Sequence, residues 1–123
     1  MNSVAPSVAI QDLRAALSAA GVAEALPLLI AAFLQDAPPR LAEVERAIAE
    51  ADTEAIRAAA HAFKSAAATM HATALATVLR SLEQAGNTSD LVAASRLLPE
   101  IRQHCVDAIA CLEAVSEPGV EDA

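Results

Sequence analysis

The chain has 123 residues, with 16 carboxylate side chains against 8 basic ones, a formal net charge of −8, and two aromatic residues in a composition that is 55% hydrophobic. That length is one domain's worth, and the acidity excludes a sequence-independent grip on nucleic acid, which rests on neutralising phosphates with lysine and arginine. No run of 18 uncharged apolar residues is present to span a membrane, and Met1 to Ser7 lack the charge and apolar core of a secretory signal, so the cytoplasm is the expected location.

Apolar residues recur at helical spacing and no alternating β-branched run appears, so the fold is expected to be all-α. The 33 alanines, the best helix formers, reinforce this. Residues 1–7 read as a flexible N-terminus. Ile10, Leu13, Leu17 and Ala20 mark a short first helix ending at Gly21, a residue suited to left-handed termination. A second helix starts near Ala23 with Leu26, Leu29, Ile30, Phe33 and Leu34 inward. Pro38 and Pro39 interrupt it, and Leu41, Val44 and Ile48 resume its period, giving one long kinked helix or two nearly collinear ones.

Asp52 or Thr53 can cap the next helix, whose stripe is Ile56, Ala60, Phe63, Ala67 and Met70. His71 falls at its end, and Thr73 is placed to cap a helix through Leu75, Val78, Leu79 and Leu82. Gly86 closes that helix before the polar turn from Asn87 to Asp90. The last helix carries Leu91, Ala94, Leu98, Ile101, Cys105, Ala108, Leu112 and Val115, with Pro99 expected to bend it. Residues 116–123 read as a flexible acidic tail. Because the connections are short, neighbouring helices should be antiparallel. Residues 8–115 are therefore expected to form an antiparallel four-helix bundle with an additional short N-terminal helix. Cys105 and Cys111, about 9 Å apart along one helix axis, are too distant for a disulfide and read as small buried hydrophobes.

One constellation carries chemistry. With the core stripe of the helix from Asp52 to Met70 at zero, Lys64 lies near 80°, Arg57 near 100°, Ala68 near 120°, His61 near 140° and Ser65 near 180°, each taken at about 100° per residue. His61 therefore faces solvent with Lys64, the chain's single lysine, one turn on. Ser65 and Ala68, also one and two turns on, leave a flat ledge that suits a large partner better than a small substrate.

The segment His61-Ala62-Phe63-Lys64-Ser65, continuing through small residues to Thr69-Met70-His71-Ala72, resembles the signature of histidine-containing phosphotransfer (HPt) domains of bacterial multistep phosphorelays. That signature runs His, two residues, Lys, usually Gly, several small residues, then Gly-Ala and a helix ending in Leu-Glu. Leu82-Glu83 stand at the matching place, and Phe33 to Pro38 resemble the family's phenylalanine-to-proline stretch. The similarity covers roughly Leu26 to Gly86. It implies that His61 accepts a phosphoryl group from a receiver-domain aspartyl phosphate and passes it to another receiver aspartate. Lys64 would steady the phosphoryl charge, with Arg57 as a further candidate. Ser65, Ala62 and Ala68 would form the docking ledge. Ser65 stands where the family usually has glycine; it is still small, and a narrower choice of partners is expected. His71 replaces the later glycine and is expected to take a left-handed, structural conformation, which histidine tolerates better than most residues.

Receiver domains of response regulators, and a hybrid sensor histidine kinase behind them, are the partners that resemblance implies, for a monomeric protein. The receiver would bring its own divalent metal, magnesium, so no intrinsic cofactor or metal is expected. With three glycines in all, Gly21, Gly86 and Gly119, there is no phosphate-cradling loop and no basis for an ATP-dependent kinase activity. Two alternatives differ in class: an HPt-like adaptor whose His61 is never phosphorylated, and a metal-binding bundle using His104, Asp107 and Cys111, which share a helix face but lack a second cluster to complete a ligand set.

Overall fold

The computed structural model describes residues 7–116, which contain five α-helices and no strand. The expected flexible N-terminus and acidic tail lie almost wholly outside these residues. The helices are α1 (Ile10–Ala19), α2 (Leu26–Ala49), α3 (Thr53–Thr69), α4 (Thr73–Asn87) and α5 (Leu91–Ser116), with a single 3-10 turn at Ala23–Ala25 leading into α2. Helices α2 to α5 pack in a closed ring, α2 on α3, α3 on α4, α4 on α5 and α5 back on α2. The expected four-helix bundle with an extra N-terminal helix is therefore present.

Pro38 and Pro39 do not divide α2, and Pro99 lies inside an unbroken α5. Tertiary packing on both sides of each proline holds the helix through the missing donors: Phe33, Ala37 and Val44 are all buried in the core. The α3 stripe is buried as expected, from Ile56 through Phe63 to Met70. Fully buried alanines, among them Ala37, Ala60, Ala67 and Ala108, let the helix axes approach closely around the larger Phe63, Leu79, Leu82, Ile101 and Leu112. No polar or charged residue is fully buried among the described ones. Cys105 is buried, whereas Cys111 is only partly so, its thiol 3.9 Å from the Val8 carbonyl; neither is in a disulfide.

The connections share one geometry. Each of α1 to α4 ends in a residue with positive φ: Gly21 (77°), Ala51 (54°), His71 (57°) and Ser89 (56°). At each, the next residue's N–H donates to the carbonyl five positions back, as in Val22 to Leu17, Asp52 to Ala47, Ala72 to Ala67 and Asp90 to Ala85. This is the Schellman closure, which satisfies carbonyls that a helix end leaves free. His71 thus takes the expected left-handed conformation. Its carbonyl also accepts the Ala9 N–H at 3.1 Å, which pins the segment before α1 to the α3–α4 link.

Two expected boundaries differ. Gly86 does not close α4: it lies inside the helix, and Ser89 supplies the left-handed turn. Nor does Thr73 cap α4; the helix begins at Thr73 after Ala72, with no side-chain cap. Ala72 is fully buried, and a polar capping side chain there would be forced into the core. Where the corresponding residue is exposed, aspartate does cap. The Asp52 carboxylate accepts the Ala55 N–H at 3.1 Å, and that of Asp90 accepts the Ala93 N–H at 3.0 Å.

Adjacent substitutions in the α2–α3 link should therefore move stability in opposite directions. Ala51→Gly relieves a left-handed alanine and is expected to raise the unfolding free energy by about 0.5–1 kcal/mol. Asp52→Ala removes the cap and should lower it by about 1 kcal/mol. Urea midpoints at constant m-value measure both.

Candidate functional site

Helix α3 buries one face through Phe63 and Ala67, and this fixes what the opposite face presents. The His61 side chain retains 58% of its exposure, while Lys64, nearer the core stripe, retains 24%. Ala62, Ser65 and Ala68 are all exposed, so the ledge of small side chains expected beside His61 exists. The Ser65 carbonyl accepts the Thr69 hydroxyl at 3.0 Å, which keeps the Thr69 side chain against its own helix. Beyond Ala62 an open groove runs between α2 and α3, floored by Ala55, Ala58 and Ala59 and edged by Glu43, Arg46 and Glu50.

The surroundings of His61 are not, however, confined to a cation and small residues. Glu83 of α4 reaches across to α3, and its carboxylate divides between two partners. One oxygen accepts from Lys64 Nζ at 2.6 Å, and the other lies 3.0 Å from His61 Nδ1. Lys64 is thus an ion-paired cation rather than a free one. The Glu83 side chain is only 17% exposed, which limits the competition of water for these contacts. The Lys64 ammonium, the foremost influence, holds the Glu83 carboxyl below the usual carboxylate range; partial burial opposes this and the His61 hydrogen bond adds to it.

Arg57 is engaged elsewhere. Its guanidinium forks onto Glu54, Nη2 at 2.6 Å and Nε at 3.2 Å from the two oxygens. This exposed pair lowers the Glu54 carboxyl and raises the guanidinium, with the charge of Glu83 a smaller influence on Arg57. Its worth to stability is small, as for surface pairs generally. The residues of the metal alternative also have other neighbours: the Asp107 carboxylate accepts from Gln103 at 2.8 Å and the Cys111 thiol lies near Val8. Among the described residues, no three histidine, cysteine or acidic side chains come together to hold a metal.

Glu83 was visible beforehand only as half of a Leu-Glu signature. Its position next to Leu82, which faces the core, placed it at the edge of the α4 stripe, but which α3 residues it meets depends on the register of the two helices. Gly86 was visible only as a supposed terminator. In the fold it is a buried glycine whose Cα faces the N-terminal end of α3.

The bundle thus presents one exposed histidine among the described residues, with a lysine a turn away and a ledge of small side chains beside it. The model of the Hpt domain matches residues 28–115, and the chain belongs to that family, whose role is histidine phosphotransfer in phosphorelays. Among solved structures the chain is similar to histidine-containing phosphotransfer protein B of Pseudomonas aeruginosa PAO1. The two are 23% identical, with a TM-score of 0.83 over 92% of this chain and 96% of that one, a likeness of fold. Comparison with curated protein sequences gives no match. No helix among the described residues is long and apolar enough to cross a membrane.

The lowered Glu83 carboxyl has a defined consequence for pH. A carboxylate whose folded value is depressed contributes stability that is present above its unfolded value and lost as pH falls through the folded one. Carboxyl carbon shifts followed by NMR should place the Glu83 titration below the usual carboxylate range. Lys64→Ala should move it upward, since the leading cause of the depression is then gone.

Proposed function

We propose that His61 is the phosphoryl carrier of a phosphorelay, taking the group from the aspartyl phosphate of one response-regulator receiver domain and delivering it to an aspartate of another. The observation that carries this reading is the pairing of an exposed imidazole with Glu83. A carboxylate only accepts hydrogen bonds, so the Nδ1 that faces it holds the ring proton, and the nucleophilic lone pair is left on Nε2.

Transfer then needs no proton to move. The Nε2 lone pair attacks phosphorus, the P–N bond forms as the P–O bond to the receiver's aspartate breaks, and the electron pair leaves with that carboxylate. The ring acquires positive charge through its Nδ1–H, and the Glu83 carboxylate faces that charge. The outward step is the reverse, onto a different aspartate. Phosphoryl transfer depends chiefly on positioning and on stabilising charge over the phosphoryl oxygens. Lys64, one turn from His61, is the cation for those oxygens. Arg57, forked onto Glu54, serves mainly to solvate the face.

Ala62, Ser65 and Ala68 provide the surface on which a receiver lies flat enough to bring its aspartate to His61. The receiver supplies its own acidic pocket and magnesium, and this chain contributes no cofactor. A hybrid sensor histidine kinase is the expected source of phosphate upstream. The protein is read as a cytoplasmic monomer and as a phosphocarrier with no ATP-dependent kinase activity of its own.

Incubation with a receiver charged by a small phosphodonor should place acid-labile, base-stable phosphate on the wild-type chain and none on His61→Gln. Label on that variant would sink the assignment. Lys64→Ala should slow transfer by about 10- to 100-fold, the equivalent of one charge-assisted hydrogen bond. Its far-UV circular dichroism should be unchanged, because Lys64 flanks the core stripe without belonging to it.

A further inference from the structure

Glycine inside a helix is unfavourable relative to alanine by roughly 0.5–1 kcal/mol. In a chain that uses alanine at 33 positions, a glycine within α4 therefore needs a cause. Conformation is not the cause, because among the described residues only Gly21 is a glycine with positive φ. Space is. A Cβ on Gly86 would stand 2.8 Å from the backbone nitrogen of Arg57, 3.0 Å from its Cα and 3.0 Å from the Thr53 carbonyl oxygen. All three are backbone atoms at the N-terminal end of α3, and none can rotate aside as a side-chain tip can. A single added carbon must push the helices apart.

The place where that happens bears on the site. Gly86 lies three residues after Glu83, one turn along α4 on the same side, and Arg57 lies four residues before His61, one turn along α3. The glycine contact is thus the helical turn next to the one in which Glu83 reaches Lys64 at 2.6 Å and His61 at 3.0 Å. We propose that Gly86 is a positioning residue of the phosphotransfer site: by letting α4 touch the α3 backbone, it sets the helix separation at which the Glu83 carboxylate can hold both Lys64 and the Nδ1–H of His61. This rests on the reading of His61 as the phosphoryl carrier and of Glu83 as the group that selects its tautomer.

Gly86→Ala is the direct test, made on the full chain with 15N-labelled histidine and no phosphodonor. Long-range proton–nitrogen spectra above the ring's titration report which nitrogen carries the proton. Glu83→Gln gives the signature of the lost carboxylate, and Leu112→Ala, a fully buried residue of α5, serves as a control for general destabilisation. The expected result is that Gly86→Ala shifts the His61 nitrogens away from wild type in the direction of Glu83→Gln, while Leu112→Ala leaves them in place. Wild-type ring shifts in folded Gly86→Ala would overturn the proposal. Should the variant melt below the assay temperature, the same spectra are taken in trimethylamine N-oxide, which favours the folded state.

Transfer rates give a second readout. Gly86→Ala should slow phosphoryl uptake several-fold in the wild-type background and change it little when Glu83 is already glutamine, since contacts in series are not additive. Equal slowing in both backgrounds would mean that the glycine acts on something other than Glu83. The ring spectra do not depend on phosphorylation. A chain that shows the expected shifts but never takes phosphate on His61 would refute the carrier reading and leave the spacing role standing.

Discussion

The distance between α3 and α4 governs most of what this surface can do. These two helices share the most extensive contact of any pair in the bundle, and their chemistry-bearing residues face each other across it rather than along either helix alone. His61 and Lys64 come from α3, Glu83 comes from α4, and the hydrogen bonds between them are 3.0 and 2.6 Å long. A glutamate side chain spans only a few bonds, so backbones held apart by an ordinary side-chain layer would leave the carboxylate short of one partner or both. Gly86 on α4, against the backbone of Thr53 and Arg57, keeps that layer thin.

The electrostatic arrangement follows from this spacing. In the unphosphorylated protein the only lysine is neutralised by Glu83, and Arg57 is neutralised by Glu54, so the site rests with its cations paired. On the proposed carrier reading, this pairing gives an arriving phosphoryl group a competitor. On that reading the group would attract Lys64 away from one oxygen of Glu83, while the other oxygen would gain a stronger partner as the ring became positive. The two changes would act in opposite senses at a single carboxylate, a balance suited to the proposed carrier, which must both accept and release its cargo. A site that bound the phosphoryl group with an unopposed cation would favour uptake over delivery.

The helical periods, the inward stripe of α3 and the exposure of His61 with Lys64 a turn away were all readable from residue spacing, because each depends on one helix and its 3.6-residue repeat. The left-handed conformation of His71 was readable too, from its standing where the resembled family has a glycine. What spacing could not supply was the register between helices. Glu83 lies 22 residues from His61 and 19 from Lys64, and only the α3–α4 link, closed by His71 in a tight Schellman turn, fixes which turn of one helix meets which turn of the other. Gly86 was misassigned for a related reason. A glycine near the end of a helical pattern usually terminates it, yet here Ser89 accepts the strained conformation and Gly86 serves close packing. Thr73 misled likewise, since a cap is chosen by exposure as well as by residue type, and the capping position, Ala72, is buried.

Alanine consequently has two uses that composition alone merges into one. On the inner faces it brings backbones together, and the closeness it permits delivers Glu83 to His61. On the outer face of α3, at Ala58, Ala62 and Ala68, it leaves the helix without projecting side chains and gives a partner close access to the same histidine. Both requirements fall on one helix of 17 residues. Bulk on the inner face would separate Glu83 from His61, and on the proposed reading bulk on the outer face would hold a receiver's aspartate away from it. The alanine content of α3 is thus set from both sides by the short distances over which hydrogen bonds and phosphoryl transfer operate.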